Sequence, residues 1–176
     1  IRIAPDADAH IEEVSVIDTD ENAIETIGLG ALNIKDSKVH KSKKKGIYVH
    51  WGGALEVMGS EISNNFEEGI DLRGGVRGFF QGNIFDSNKE SGIEAVIGDS
   101  MLVISENIFS NSEANGMDLQ YYAISPGKGD VYISNNTFDG NHEYGLKCDA
   151  PSGGSADEKY WEQSIYFFSD NEFVNN

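Results

Sequence analysis

A frame of about 23 residues recurs along this chain, and a fixed period constrains what a sequence can fold into more tightly than any local propensity. Five segments carry it most clearly: Leu55 to Asn65, Phe79 to Asn88, Leu102 to Ser112, Val131 to Asn141 and Ile165 to Asn176. Each reads as a short strand, then Asn-x-Phe or its counterpart Ser60-Glu-Ile62, then a second Asn or its counterpart. The frame extends back through Leu32, Ser37, Val39 and Ser42, and more weakly through Ala9, Val14, Val16 and Thr19. Most turns then continue with Gly and an alternating strand: Gly46-Ile-Tyr-Val, Gly69-Ile-Asp-Leu, Gly92-Ile-Glu-Ala, Gly116-Met-Asp-Leu and Gly145-Leu-Lys-Cys.

Strands this short cannot bury an apolar side alone. Successive turns must stack in register at about 4.8 Å, each pairing its backbone with the turns above and below. Equivalent positions then form ladders: Ser37, Ser60, Asn83, Asn107, Asn136 and Asn171 in one, and Val39, Ile62, Phe85, Phe109, Phe138 and Phe173 beside it. Inward Asn amides at a bend can bond one another and the turn backbone, satisfying groups otherwise orphaned. No segment between the strands is long enough with 3.6-residue periodicity for a doubly wound or helical-repeat fold.

This pattern predicts an all-β fold, a right-handed parallel β-helix forming one solenoid domain over residues 1–176, with about seven coils and insertions in two later ones. On these motifs the chain resembles the right-handed parallel β-helix repeat family, which includes pectate-lyase-like enzymes, polygalacturonases, alginate epimerases and NosD-like surface and periplasmic proteins. The resemblance implies an association with polysaccharide. It carries over no catalytic residue, since the Asp-Pro-His of the epimerases, the Gly-His-Gly of the polygalacturonases and the pectate lyase motifs have no counterpart here. Both ends fall inside the repeat frame, which leads to the expectation of a longer parent chain whose remaining parts are partners of this domain.

Thirteen Lys and Arg against thirty Asp and Glu leave a formal charge of −17, which disfavours nucleic acid and anionic lipid as partners. No run approaches the length of a membrane span, so no membrane insertion is expected. The cluster Lys41, Lys43, Lys44 and Lys45 reads as a solvated turn without a function. The single Cys148 shares the frame of Leu72, Ala95 and Leu119, which predicts a buried, inert thiol.

In the Gly-Ile-Asp-Leu strands the residues between Ile and Leu point outward and create two exterior rows. The first is Arg2, Glu25, Tyr48, Asp71, Glu94, Asp118 and Lys147, and the second is Ile27, His50, Arg73, Val96, Gln120 and Asp149. Three carboxylates in succession repel, and relief is expected from Arg73, from Lys147, from a raised carboxyl pKa or from bound Ca²⁺, the one cofactor the row suggests. No dedicated metal ligands are assigned, since His10, His40, His50 and His142 sit in different frames without ligand spacing. The intervals along the Asn ladder, 23, 23, 24, 29 and 35 residues, place insertions at Tyr121 to Gly129 and Ala150 to Glu162, just after the acid-bearing strand.

These features predict a saccharide groove. Asp71, Glu94, Asp118 and Lys147 are the catalytic candidates, with His50, Arg73, Gln120, Tyr121, Tyr122, Tyr160 and Trp161 as substrate-binding groups, the aromatics forming a wall for sugar rings. As an enzyme the chain would be a polysaccharide lyase, with Lys147 or Arg73 as base, or a glycoside hydrolase, and the row spacing suits retaining and inverting geometries alike. The reading is an extracellular or cell-surface module that binds and processes polysaccharide. The alternative is a non-catalytic stalk or adhesin-like spacer, since acidic rows also arise from solubility alone.

Overall fold

The computed structural model describes residues 1–121, 127–149 and 163–176. Three strands per coil build three parallel sheets of seven strands each. The first sheet stacks Arg2–Ile3, Ile24–Thr26, Ile47–Val49, Ile70–Arg73, Ile93–Val96, Met117–Gln120 and Leu146–Cys148. The second runs from Ala9–Glu12 to Ile165–Ser169, and the third from Ser15–Ile17 to Glu172–Val174. Every neighbouring pair is parallel, and the register follows the repeat: Ala9 opposes Leu32, Val16 opposes Val39, and Arg2 opposes Glu25.

The core is a set of ladders. Phe85, Phe109 and Phe138 are fully buried, and the rings of Phe85, Phe109, Phe138 and Phe173 stack nearly parallel at 4.7, 4.9 and 4.9 Å between centroids. On the outermost coil Phe173 ends this stack and Phe168 ends the second-sheet ladder of Phe80, Ile104 and Ile133, and both are exposed. The Asn ladder closes the bend beside it: Asn107 Oδ1 accepts from both the backbone N and the Nδ2 of Asn83 at 2.9 Å, while Asn107 Nδ2 donates to Phe80 O and Asn136 Oδ1. A second ladder runs through Ser42, Asn65 and Asn88, and again through Ser112, Asn141 and Asn176.

The glycine that opens five of the seven first-sheet strands is explained by a close approach. A Cβ on Gly69 would meet Gly92 O at 2.6 Å, and one on Gly92 would meet Gly116 O at 2.6 Å, so any side chain there would push the coils apart.

Candidate functional site

The first sheet brings the predicted first row together. Tyr48 opposes Asp71, Asp71 opposes Glu94, Glu94 opposes Asp118 and Asp118 opposes Lys147. Flanking Ile70, Leu72, Ile93, Ala95 and Leu119 are fully buried, so the row projects away from the core. In the second row Arg73, Val96 and Gln120 are in register, and backbone bonds from His50 N to Thr26 O and from Asp149 N to Leu119 O continue it.

Projecting from the core did not leave these residues in solvent. Asp71 is fully buried, Asp118 is 5 % exposed and Val96 is fully buried, which corrects the expectation of two open exterior rows. The cover comes from long cationic side chains laid across the acids. Arg73 Nη2 lies 2.6 Å from Asp71 Oδ2 and 3.0 Å from Glu94 Oε1. Lys45 Nζ lies 2.5 Å from Glu68 Oε2, 3.0 Å from Asp71 Oδ2 and 3.1 Å from Glu67 Oε2. Lys147 Nζ lies 3.3 Å from Asp118 Oδ2 and 2.9 Å from Asp149 Oδ2. Gln120 Nε2 also donates to Asp118 Oδ2, and His50 Nε2 is 2.9 Å from Glu25 Oε1 with its ring against Tyr48.

Burial and charge crowding set the proton affinities. Burial, then the charges of Glu68, Asp71 and Asp118, push the Glu94 pKa up to about 7 in spite of Arg73. Burial also raises Asp71, with Lys45 and Arg73 pulling the other way. Glu90 is pushed up to about 7 by burial and by its bond to Glu68. Burial works against an ionised Glu68 too, but the bond and charge of Lys45 outweigh it and hold that carboxyl below its ordinary range. All three protein-based forms of relief expected for the carboxylate row are therefore present: Arg73, Lys147 and a raised pKa.

The bases proposed for a lyase fare differently. Its bond to Asp149 and the charge of Asp118 raise Lys147, and the charge of Asp71 raises Arg73 against the effect of burial. Ion pairing thus holds both protonated, which suits charge binding and opposes a base role. Tyr121 is a further correction: it is 2 % exposed within the core cluster, and its hydroxyl donates to Gly127 O at 2.6 Å, so it presents no ring for stacking. Tyr122, Tyr160 and Trp161 lie outside the described residues. Cys148 opposes Leu119 as its frame requires but is exposed, because it sits on the last strand of its sheet.

Lys45, Glu67, Glu68 and Glu90 belong to the site although the sequence reading passed over them. Their signal was in the frame. Lys45 and Glu68 occupy the position just before the conserved-spacing glycines Gly46 and Gly69, and Lys44, Glu67 and Glu90 the position before that. Backbone bonds from Glu67 N to Lys44 O and from Glu90 N to Glu67 O stack that outer row. Lys45 was absorbed into a lysine run, yet its side chain is only 16 % exposed, whereas Lys43 is 73 % exposed.

A pH dependence follows. The folded chain binds a proton on Glu94 up to about pH 7, whereas an ordinary glutamate releases it near 4.5. Between those values the folded state holds more protons, so this group makes stability fall as pH rises. Glu94→Gln is expected to match the parent near pH 5 and to exceed it by about 1 to 3 kcal/mol at pH 8. Urea melts in chelator at both pH values measure this, and an equal difference at both would contradict it.

Among the described residues no helix is long and apolar enough to cross a membrane. Comparison with curated proteins finds no match. Among solved structures, the periplasmic alginate epimerase AlgG superposes with a TM-score of 0.63 at 16 % identity, over 93 % of this chain and 46 % of that one. At that identity the likeness is one of fold, and the chain spans about half of the epimerase. The model of the right handed beta helix region matches residues 1–176, and with the three stacked parallel sheets this places the chain in the right-handed β-helix family.

Proposed function

We propose that the outer face of the first sheet binds a polysaccharide lying along the stacking direction, in a module that works outside the cytoplasm, at the cell surface or in the periplasm. The observation that carries this reading is the row Tyr48, Asp71, Glu94, Asp118 and Lys147, one polar side chain per coil on consecutive strands. A surface that repeats at about 4.8 Å suits an extended repeating polymer better than a compact ligand. Arg73, Gln120, Lys147 and His50 are part-exposed and offer donors, and Glu94 offers an acceptor. The buried Asp71 and Asp118 hold Arg73 and Lys147 in place. Likeness to an epimerase that acts on alginate supports a glycan of this general kind.

For cleavage or other processing, Glu94 is the carboxyl able to touch substrate, with Asp71, Asp118 and Lys147 as positioning groups around it. A glycan array on the parent, Glu94→Gln and Gln120→Ala, with calcium present and absent, tests the proposal. A defined set of glycans is expected to bind the parent and to bind each variant about tenfold more weakly, roughly 1.4 kcal/mol. A silent array, or binding by both variants as tight as the parent's, would overturn it in favour of a structural spacer.

A further inference from the structure

Beside the row, Glu68, Glu90 and Glu94 each direct a carboxylate oxygen to one place, and these atoms all lie within 4.8 Å of one another. Lys45 and Arg73 are the cations paired to this neighbourhood, against the carboxylates of Glu67, Glu68, Asp71, Glu90 and Glu94. Among the described residues no salt bridge reaches Glu90. The cluster therefore keeps an excess of negative charge in a partly desolvated place, where like charges repel most.

A second observation points the same way. Asp71 is fully buried, and while its Oδ2 meets Arg73 and Lys45, its Oδ1 has no hydrogen-bond partner. Lys45 joins this carboxylate to Glu68 and Arg73 joins it to Glu94, so the spare acceptor belongs to a group wedged between two members of the cluster. A buried acceptor left unused calls for a partner.

We propose that Glu68, Glu90 and Glu94, with Asp71 beside them, form a binding site for a single divalent cation of the calcium type. The donors are all carboxylate oxygens, the set that hard cations take and that thiolate- or imidazole-seeking metals do not. Calcium–oxygen distances of about 2.4 Å put any two ligands of one ion no more than about 4.8 Å apart, and these oxygens all lie within that limit of one another. The nearby imidazole, His50, is already turned to Glu25. Water completes the coordination shell. Lys45 is the competing internal cation, and its ammonium can swing to Glu67 on the more exposed side when calcium enters.

This site shares Glu94 and Asp71 with the glycan row, but its test is separate, because the metal alone is the probe and no sugar is added. After chelator treatment, calcium chloride is titrated by calorimetry and in thermal melts at pH 8. Saturable binding of one ion and a higher melting temperature are expected. Glu90→Gln, at an exposed position, is expected to weaken binding about tenfold or more, while Asp20→Asn, an exposed carboxylate paired with Lys43 elsewhere, binds like the parent. Lys45→Met removes the competing ammonium and is expected to bind calcium more tightly. Absence of heat and of any melting shift at millimolar calcium, unchanged binding by Glu90→Gln, or weaker binding by Lys45→Met would each overturn the proposal.

Discussion

Phe109→Ala is expected to lower the unfolding free energy by about 3 to 5 kcal/mol, among the larger losses any single substitution can cause here. Phe109 is fully buried, and its ring is stacked on both faces, by Phe85 at 4.7 Å and Phe138 at 4.9 Å. Truncation removes the contacts on two coils at once. The cavity cannot collapse easily, because the backbone on either side is pinned by pairing of Phe109 with Phe85 and Phe138 in the third sheet. For a chain of this size the midpoint of thermal unfolding should fall by about 6 to 20 °C. Lys44→Ala supplies the contrast. Its exposed side chain pairs with exposed Glu21, and the change should stay within about 0.5 kcal/mol. Equal melting temperatures for the two variants would contradict the energetic role assigned to the stack.

Asn107→Leu should be comparably damaging by a different route. The side chain of Asn107 accepts two hydrogen bonds from Asn83 and donates to Phe80 O and Asn136 Oδ1, all in buried surroundings. Leucine has a similar volume but no polar atoms, so the Asn83 backbone N–H and amide lose their acceptor without access to water. With about 1 to 3 kcal/mol for each orphaned buried group, the expected loss is about 3 to 6 kcal/mol. The same substitution at Asn171, in the outermost coil where the ladder is only part-buried, should cost distinctly less, because water can reach the groups it leaves behind. Denaturant melts of the two variants would decide it, and similar losses at both positions would rule out burial as the source of the effect.

The register was legible to the residue. Opposition of Asp71 to Glu94 and of Glu94 to Asp118, the phenylalanine stack and the Asn ladder were all implied by the repeat, because a solenoid places residues one period apart directly above one another. Alternation along a strand then decides which side faces the core, and Ile70 and Leu72 are indeed buried. The same logic assigned the second row and found the place of the insertions.

Legibility ended where side chains leave their own rung. Lys45 looked like one of a solvated run, yet its four-carbon stem carries the ammonium onto Glu68 and Asp71. Arg73 likewise folds over Asp71 and Glu94, which is why acids that point away from the core are nonetheless buried. Tyr121 follows Gln120 as the fully buried Ile97 follows Val96, and it turned inward to bond Gly127 rather than standing out as a sugar platform.

By itself, then, the sequence determined the coil, its register and the line of Asp71, Glu94 and Asp118, because these depend only on a repeat distance and on strand alternation. Only the tertiary structure decided which of those acids meet solvent, which cations cover them and where three glutamates converge, because these depend on long side chains crossing between coils and on how much water each leaves behind.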